Sequence, residues 1–168
     1  VGSTDTAIVC TYTNTRKTAT VVIQKTWVNA LPLDAVNITA TGLTGLNSVA
    51  NAVSETDAQS AQTVYAGDVI TFAESFATGA AANYTTTLAC TGTSGLSGST
   101  LTIGSADTAI VCTYTNTRKT ATVVIRKTWV NAITDDAVSI SATGLTSFAS
   151  IATSDSFTDT DSAQTVRA

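Results

Sequence analysis

Hydrophobic and polar residues alternate with a period of two through most of this chain, and helix-period spacing is nearly absent. The clearest stretch is "ATVVIQKTWVNA" at residues 19–30, which places Val21, Ile23, Lys25 and Trp27 on one face of a strand. Val22, Gln24, Thr26 and Val28 fall on the other face. The same pattern predicts strands near residues 18–28, 36–41, 60–64, 69–74, 84–90, 99–103 and 109–117. Turns are expected at "TGLTGLN", "YAGD", "ATGAAAN" and "TGTSGLSGS", where the residues that turns favour cluster. About seven short strands within roughly 100 residues indicate a β-sandwich.

The pattern repeats. "DTAIVCTYTNTRKTATVVI" begins at Asp5 and again at Asp107, a gap-free offset of 102 residues. "VNITATGLT" at Val36 returns as "VSISATGLT" at Val138, and "SAQTV" occurs at Ser60 and at Ser162. This period is too long for a solenoid turn and fits tandem autonomous domains. The expected organisation is the last strand of one repeat at 1–17, a complete repeat at 18–117, and the first part of another at 118–168. On this reading the chain is a piece of a longer array. Only Arg118 and Lys119 separate "YTNT" from "TATVV", so neighbouring repeats should form a stiff rod. Arg16 and Arg118 are read as solvated junction charges.

Between the two copies of the first strand only one residue changes, Gln24 to Arg126, on the face without the tryptophan. That face is therefore wet, which leaves Lys25 pointing into the core between Ile23 and Trp27. Two other strands share the oddity. Glu74 follows Ile70 and Phe72 on one face, and Asn116 follows Ile110, Cys112 and Tyr114. An unpaired buried charge costs several kcal/mol, so three such residues in one repeat call for a joint explanation. One chemistry uses all three. A buried lysine loses its proton to become a nucleophile, and a neighbouring carboxyl polarises an amide and shuttles the proton. The asparagine then releases ammonia, and an isopeptide bond ties the first strand to the last. The alternative is a lysine that reaches solvent with its amine, or pairs with Glu74 without reacting.

"KTWVNA", "VITFAES…NYTTTLAC" and "YTNT" resemble the B-type repeats of Gram-positive collagen adhesins and the related prealbumin-like domains of pilins and giant surface proteins. The likeness spans residues 18–117. It implies an immunoglobulin-like or transthyretin-like sandwich with a self-formed Lys–Asn bond promoted by a glutamate. Carried over by position, the pair is Lys25 and Asn116 and the promoter is Glu74. Asn14 and Lys127 are the corresponding residues of the flanking partial repeats. A cysteine pair is not part of the usual pattern.

Composition narrows the picture. Charged residues make up 12% of the chain, the net charge is −4, and there are 36 threonines and no histidine. Thr, Val and Ile favour strands. No basic patch interleaved with aromatics points to nucleic acid, and no apolar run approaches the length of a membrane span. Cys10 and Cys112 occupy the same position in successive repeats. The simplest pairing is Cys90 with Cys112, which leaves Cys10 unpaired by truncation and implies an oxidising, extracellular compartment. Two buried free thiols are the alternative. No metal or cofactor is called for. Asp155, Asp159 and Asp161 lack the spacing of a calcium loop, and their counterparts in the complete repeat are reduced to Glu55 and Asp57. Trp27 and Trp129 read as core rather than as a sugar platform. No constellation for turnover catalysis appears.

The expected role is structural: a repeat of a stiff stalk in a secreted bacterial surface protein, its partners the neighbouring repeats. A protomer of an extracellular filament, packed with other copies, and a multivalent glycan- or host-protein-binding module are the alternatives.

Overall fold

The structure, a computed structural model, describes residues 2–4 and 6–168. Val1 and Asp5, the latter opening the first copy of the repeated motif, lie outside the described residues. The first ten strands are β1 (Thr18–Val28), β2 (Ala35–Ala40), β3 (Leu43–Val49), β4 (Glu55–Ala58), β5 (Gln62–Tyr65), β6 (Val69–Thr78), β7 (Tyr84–Thr91), β8 (Leu96–Ser97), β9 (Thr100–Thr102) and β10 (Ala109–Arg118). They form two five-stranded sheets, an arrangement consistent with a β-sandwich.

In the first sheet the order is β4-β1-β10-β7, and β5 also pairs with β1. With 11 residues, β1 is long enough to hold β5 along Thr18–Val21 and β4 along Gln24–Trp27 on one edge. Its other edge pairs in parallel with β10, from Thr20 opposite Ala109 to Val28 opposite Thr117. First and last strands thus lie side by side and run the same way. The second sheet has the order β3-β2-β6-β9-β8. Inward residues of both sheets meet in one core, with Val21, Ile23 and Trp27 from β1, Ile38 from β2, Phe72 from β6 and Ile110 from β10.

Alternation is strict where a strand is covered on one face. Every second residue of β1 from Ala19 to Trp27 is buried, and so is every second residue of β10 from Ile110 to Asn116. Where the structure departs from the sequence expectation, the cause is local. The "TGLTGLN" turn contracts to Thr41 and Gly42 (φ 76°), and Leu43–Val49 becomes strand β3. Gly45, which suggested a loop, faces a bulge in β2 between Ile38 and Ala40. A Cβ on Gly45 would sit 2.3 Å from the Ile38 carbonyl oxygen. Strand β4 was not expected, because an edge strand needs no apolar alternation. Strand β6 runs past Glu74 to Thr78, so the glutamate lies within the strand rather than at its end.

Residues 7–17 correct the expectation of a closing strand at the start of the chain: they carry no secondary structure, although the identical sequence forms β10. In β10 that sequence is held between β1 and β7, and residues 7–17 have no such partners on either side.

The second copy of the pattern forms β11 (Thr120–Val123), β12 (Arg126–Val130), β13 (Ala137–Ile140), β14 (Phe148–Ile151), β15 (Ser156–Thr160) and β16 (Gln164–Arg167). Among the described residues these pair as β11-β16, β12-β15 and β13-β14.

The junction arginines are at the surface, as expected, and also make specific contacts. Arg16 Nη2 donates to the Ala66 carbonyl at 2.8 Å and to Asp68 Oδ1 at 2.6 Å, and its guanidinium lies 5.0 Å from the Tyr65 ring centroid. Arg118 repeats the contact on the Ala168 carbonyl. Lys119 reaches the other way, its Nζ donating to the Ala82 carbonyl at 2.8 Å and its backbone N–H to Asn83 at 2.8 Å. One dipeptide therefore grips the structure on both sides of itself.

Candidate functional site

Lys25 is carried by β1, Asn116 by the adjacent β10, and Glu74 by β6 of the facing sheet. In the parallel register Lys25 stands opposite Tyr114 and Trp27 opposite Asn116. Lys25 and Asn116 are therefore diagonal neighbours on the inward face of one sheet, with Glu74 entering from the other. Lys25 and Asn116 are fully buried, and the Glu74 side chain is nearly so.

Lys25 Nζ lies 2.7 Å from Glu74 Oε1. The contact is a buried ion pair. Lys25 Nζ, Glu74 Oε1 and Asn116 Nδ2 are all buried without a directed hydrogen-bond partner. Lys25 Nζ and Glu74 Oε1 have each other as an ion pair, whereas Asn116 Nδ2 is left without any partner, a rare state for a buried polar atom. Burial lowers the pKa of Lys25 from 10.5 to about 8, against the opposing pull of Glu74. The amine is thereby brought much nearer to its neutral, nucleophilic form. Burial also pushes the Tyr114 phenol up, with a smaller contribution from the charge of Glu74.

Aromatic rings shield the site. Lys25 Nζ lies 4.5 Å from the Trp27 ring centroid. Trp27 makes edge contacts with Phe76 at 6.2 Å and Tyr84 at 5.7 Å. The indole is fixed by Nε1 donating to Ser48 Oγ at 2.8 Å, and Ser48 in turn donates to Asp57 Oδ2 at 2.5 Å. The Tyr84 hydroxyl donates to Asp34 Oδ2 at 2.5 Å and accepts the Leu31 N–H at 3.0 Å. With each polar tip satisfied, these side chains exclude water at little cost.

Thr86 on β7 stands directly opposite Asn116, and its hydroxyl donates to Asn116 Oδ1 at 2.8 Å. Sequence reasoning missed it. The signal was present in "YTTTLAC", where alternation puts Tyr84, Thr86, Leu88 and Cys90 on one face.

Cys90 and Cys112 form a disulfide across the antiparallel β7–β10 pair, where they stand opposite each other. Cys10 is free and exposed. Asn14 is exposed in the segment without secondary structure, and Lys127 is half-buried, with Nζ donating to the Thr128 carbonyl at 3.1 Å. Trp129 is half-buried, whereas Trp27 is fully so. Asp155, Asp159 and Asp161 do not converge, and no group of acidic, cysteine or histidine side chains able to hold a metal ion occurs among the described residues. Asp57 is taken up by Ser48, and Glu55 accepts the Asn51 N–H at 2.6 Å.

The site has what one condensation needs: a desolvated amine, a carboxyl in contact with it, and an amide whose oxygen is held and whose nitrogen is free to leave. Comparison with protein-family models, curated proteins and solved structures returns no match to this chain.

Proposed function

We propose that residues 18–117 are one immunoglobulin-like or prealbumin-like β-sandwich module of a tandem array. The array forms a stiff stalk in a secreted bacterial surface protein. Each complete module is closed by a self-formed amide between Lys25 and Asn116. The observation that carries this reading is the buried Lys25–Glu74 ion pair at 2.7 Å together with the buried Asn116 Nδ2, which has no hydrogen-bond partner.

In the reaction, neutral Lys25 Nζ attacks Asn116 Cγ, forming the new C–N bond. The Cγ–Nδ2 bond breaks, and the proton given up by the amine travels through the Glu74 carboxyl to the departing nitrogen, which leaves as ammonia. The product keeps the carbonyl oxygen and replaces the ion-paired amine and the unpartnered amide nitrogen with one amide N–H beside Glu74. It is a single self-modification, not turnover.

The resulting fastening joins β1 to β10, while the disulfide joins β10 to β7. The two crosslinks hold three adjacent strands of one sheet. The junction grip of Arg118 and Lys119 supports a rod with little freedom between modules. Near-identical repeats suit reach and stiffness, since every copy presents the same face. The disulfide agrees with an extracellular location.

The test is the intact mass of the chain, with and without reductant, for the wild type and for Lys25→Ala, Glu74→Ala and Asn116→Ala. A deficit of one ammonia that survives reduction and disappears in each variant is expected. A wild-type mass short only of the two disulfide hydrogens overturns the crosslink.

A further inference from the structure

We infer that Thr86 is a catalytic residue of this condensation, its hydroxyl holding the Asn116 amide oxygen as negative charge develops there. The inference rests on the crosslink proposed above and assigns a division of labour within it. Glu74 moves the proton, and Thr86 stabilises the oxyanion.

The geometry behind it is compact. Attack on Asn116 Cγ turns the amide into a tetrahedral adduct, and its oxygen takes up the charge. A donor already aimed at that oxygen stabilises the transition state more than the neutral amide. Thr86 Oγ1 donates to Asn116 Oδ1 at 2.8 Å, and no other donor to Oδ1 is present among the described residues. Glu74 is in contact with Lys25 instead.

The same hydrogen bond orients the amide. Strand β10 lies between β1 and β7, so Thr86 and Lys25 flank Asn116 from opposite sides. An amide whose oxygen turns toward Thr86 holds its nitrogen away from β7, and Nδ2 is indeed buried without a partner. The leaving nitrogen therefore meets no competing hydrogen bond that would have to break. Thr86 can play this part because of its place in the sheet. It is itself exposed on the edge strand β7, yet its register partner is fully buried. The cost of desolvating the hydroxyl is correspondingly small.

The experiment follows the reaction from its start. The full chain is made by cell-free translation, synthesis is stopped, and loss of ammonia is timed by intact mass for the wild type, Thr86→Val and Thr86→Ser. Valine matches threonine in shape and favours strands, so the fold is kept. Thr86→Val is expected to slow the loss by roughly a hundredfold, the scale of losing one oxyanion donor. Thr86→Ser, which keeps the hydroxyl, restores most of the rate. In an Asn116→Ala background, which cannot react, Thr86→Val should leave the thermal midpoint nearly unchanged. Equal rates for wild type and Thr86→Val overturn the role. So does a Thr86→Ser variant as slow as Thr86→Val, which would indicate packing. A wild-type chain that never loses ammonia removes the crosslink itself and this inference with it, a result distinct from unaltered kinetics in a chain that reacts.

Discussion

The sequence "ATVVI", one variable residue and "KTWVNA" occurs twice, and the two copies end in different states. At Thr18–Val28 it is one continuous strand with Lys25 and Trp27 fully buried. In the second copy it breaks into Thr120–Val123 and Arg126–Val130, and Lys127 and Trp129 are only half-buried. Much is nevertheless shared. The indole donates to a serine in both, at 2.8 Å to Ser48 and 3.0 Å to Ser150. The lysine nitrogen lies near the tryptophan ring in both, at 4.5 and 4.2 Å. The pairings of β11 with β16, β12 with β15 and β13 with β14 mirror those of β1 with β5, β1 with β4 and β2 with β3.

What the second copy lacks is a parallel neighbour like β10 and a facing strand like β6. Local sequence is thus sufficient for the antiparallel pairs and for the contact between lysine and tryptophan. Continuity of the first strand and desolvation of its lysine come from residues 50 to 90 positions further along. On the proposed crosslink, the Lys25 amine is desolvated only with the closing strand in place, so the condensation follows folding.

The sharpest way to break this comparison is to complete the second copy. Appending a copy of residues 67–117 after Ala168 should bury Lys127, join β11 and β12 into one strand, and produce loss of a second ammonia. If Lys127 stays unreacted in a folded product, the missing strands do not explain the difference, and the residues that differ between the two copies must.

A smaller effect is expected from Asn116→Ala. Residues 25 and 116 are 91 positions apart. Opening a covalent loop of that size should lower stability by about 4–5 kcal/mol on the chain-entropy account. Denaturant unfolding under non-reducing conditions measures this, and unchanged stability would count against a fastening between β1 and β10.

The smallest effect is a pH dependence that follows from the burial of Lys25. In Asn116→Ala, Lys25 stays unreacted. Its folded pKa of about 8 lies below the ordinary lysine value of 10.5. Below about 8 both folded and unfolded states hold the proton, and stability is flat in this respect. Between about 8 and 10.5 the unfolded state binds more protons, so stability rises with pH, and it levels off above. Adding Lys25→Met to this variant should flatten that rise. Thermal midpoints across this range measure it.

How much of this was legible in the sequence follows the same division. Inward placement of Lys25, Glu74 and Asn116 came from period-two alternation, because each strand carrying them is covered on one face. The Cys90–Cys112 pairing came from counting cysteines against the repeat. Gly45 misled, since a glycine opposite a bulge looks like a glycine in a turn. Glu55–Ala58 was overlooked because an edge strand carries no apolar stripe. Thr86 escaped because its importance depends on register: nothing within "YTTTLAC" says that its second threonine faces Asn116. Residues 7–17 show the limit most directly, since a sequence identical to β10 stays irregular without neighbours.

The parallel placement of β1 beside β10 has a consequence for how such a chain lengthens under tension. Pulling on the two ends of residues 18–118 draws the start of β1 and the end of β10 apart, so the strands are sheared along their whole pairing rather than unzipped bond by bond. With Lys25 joined to Asn116, the covalent route runs from Thr18 to Lys25, across, and out through Arg118. Everything between is a slack loop that bears no tension. At about 3.4 Å per extended residue, roughly 300 Å of contour is withheld from each such region. A string of them would behave as a tether of nearly fixed length.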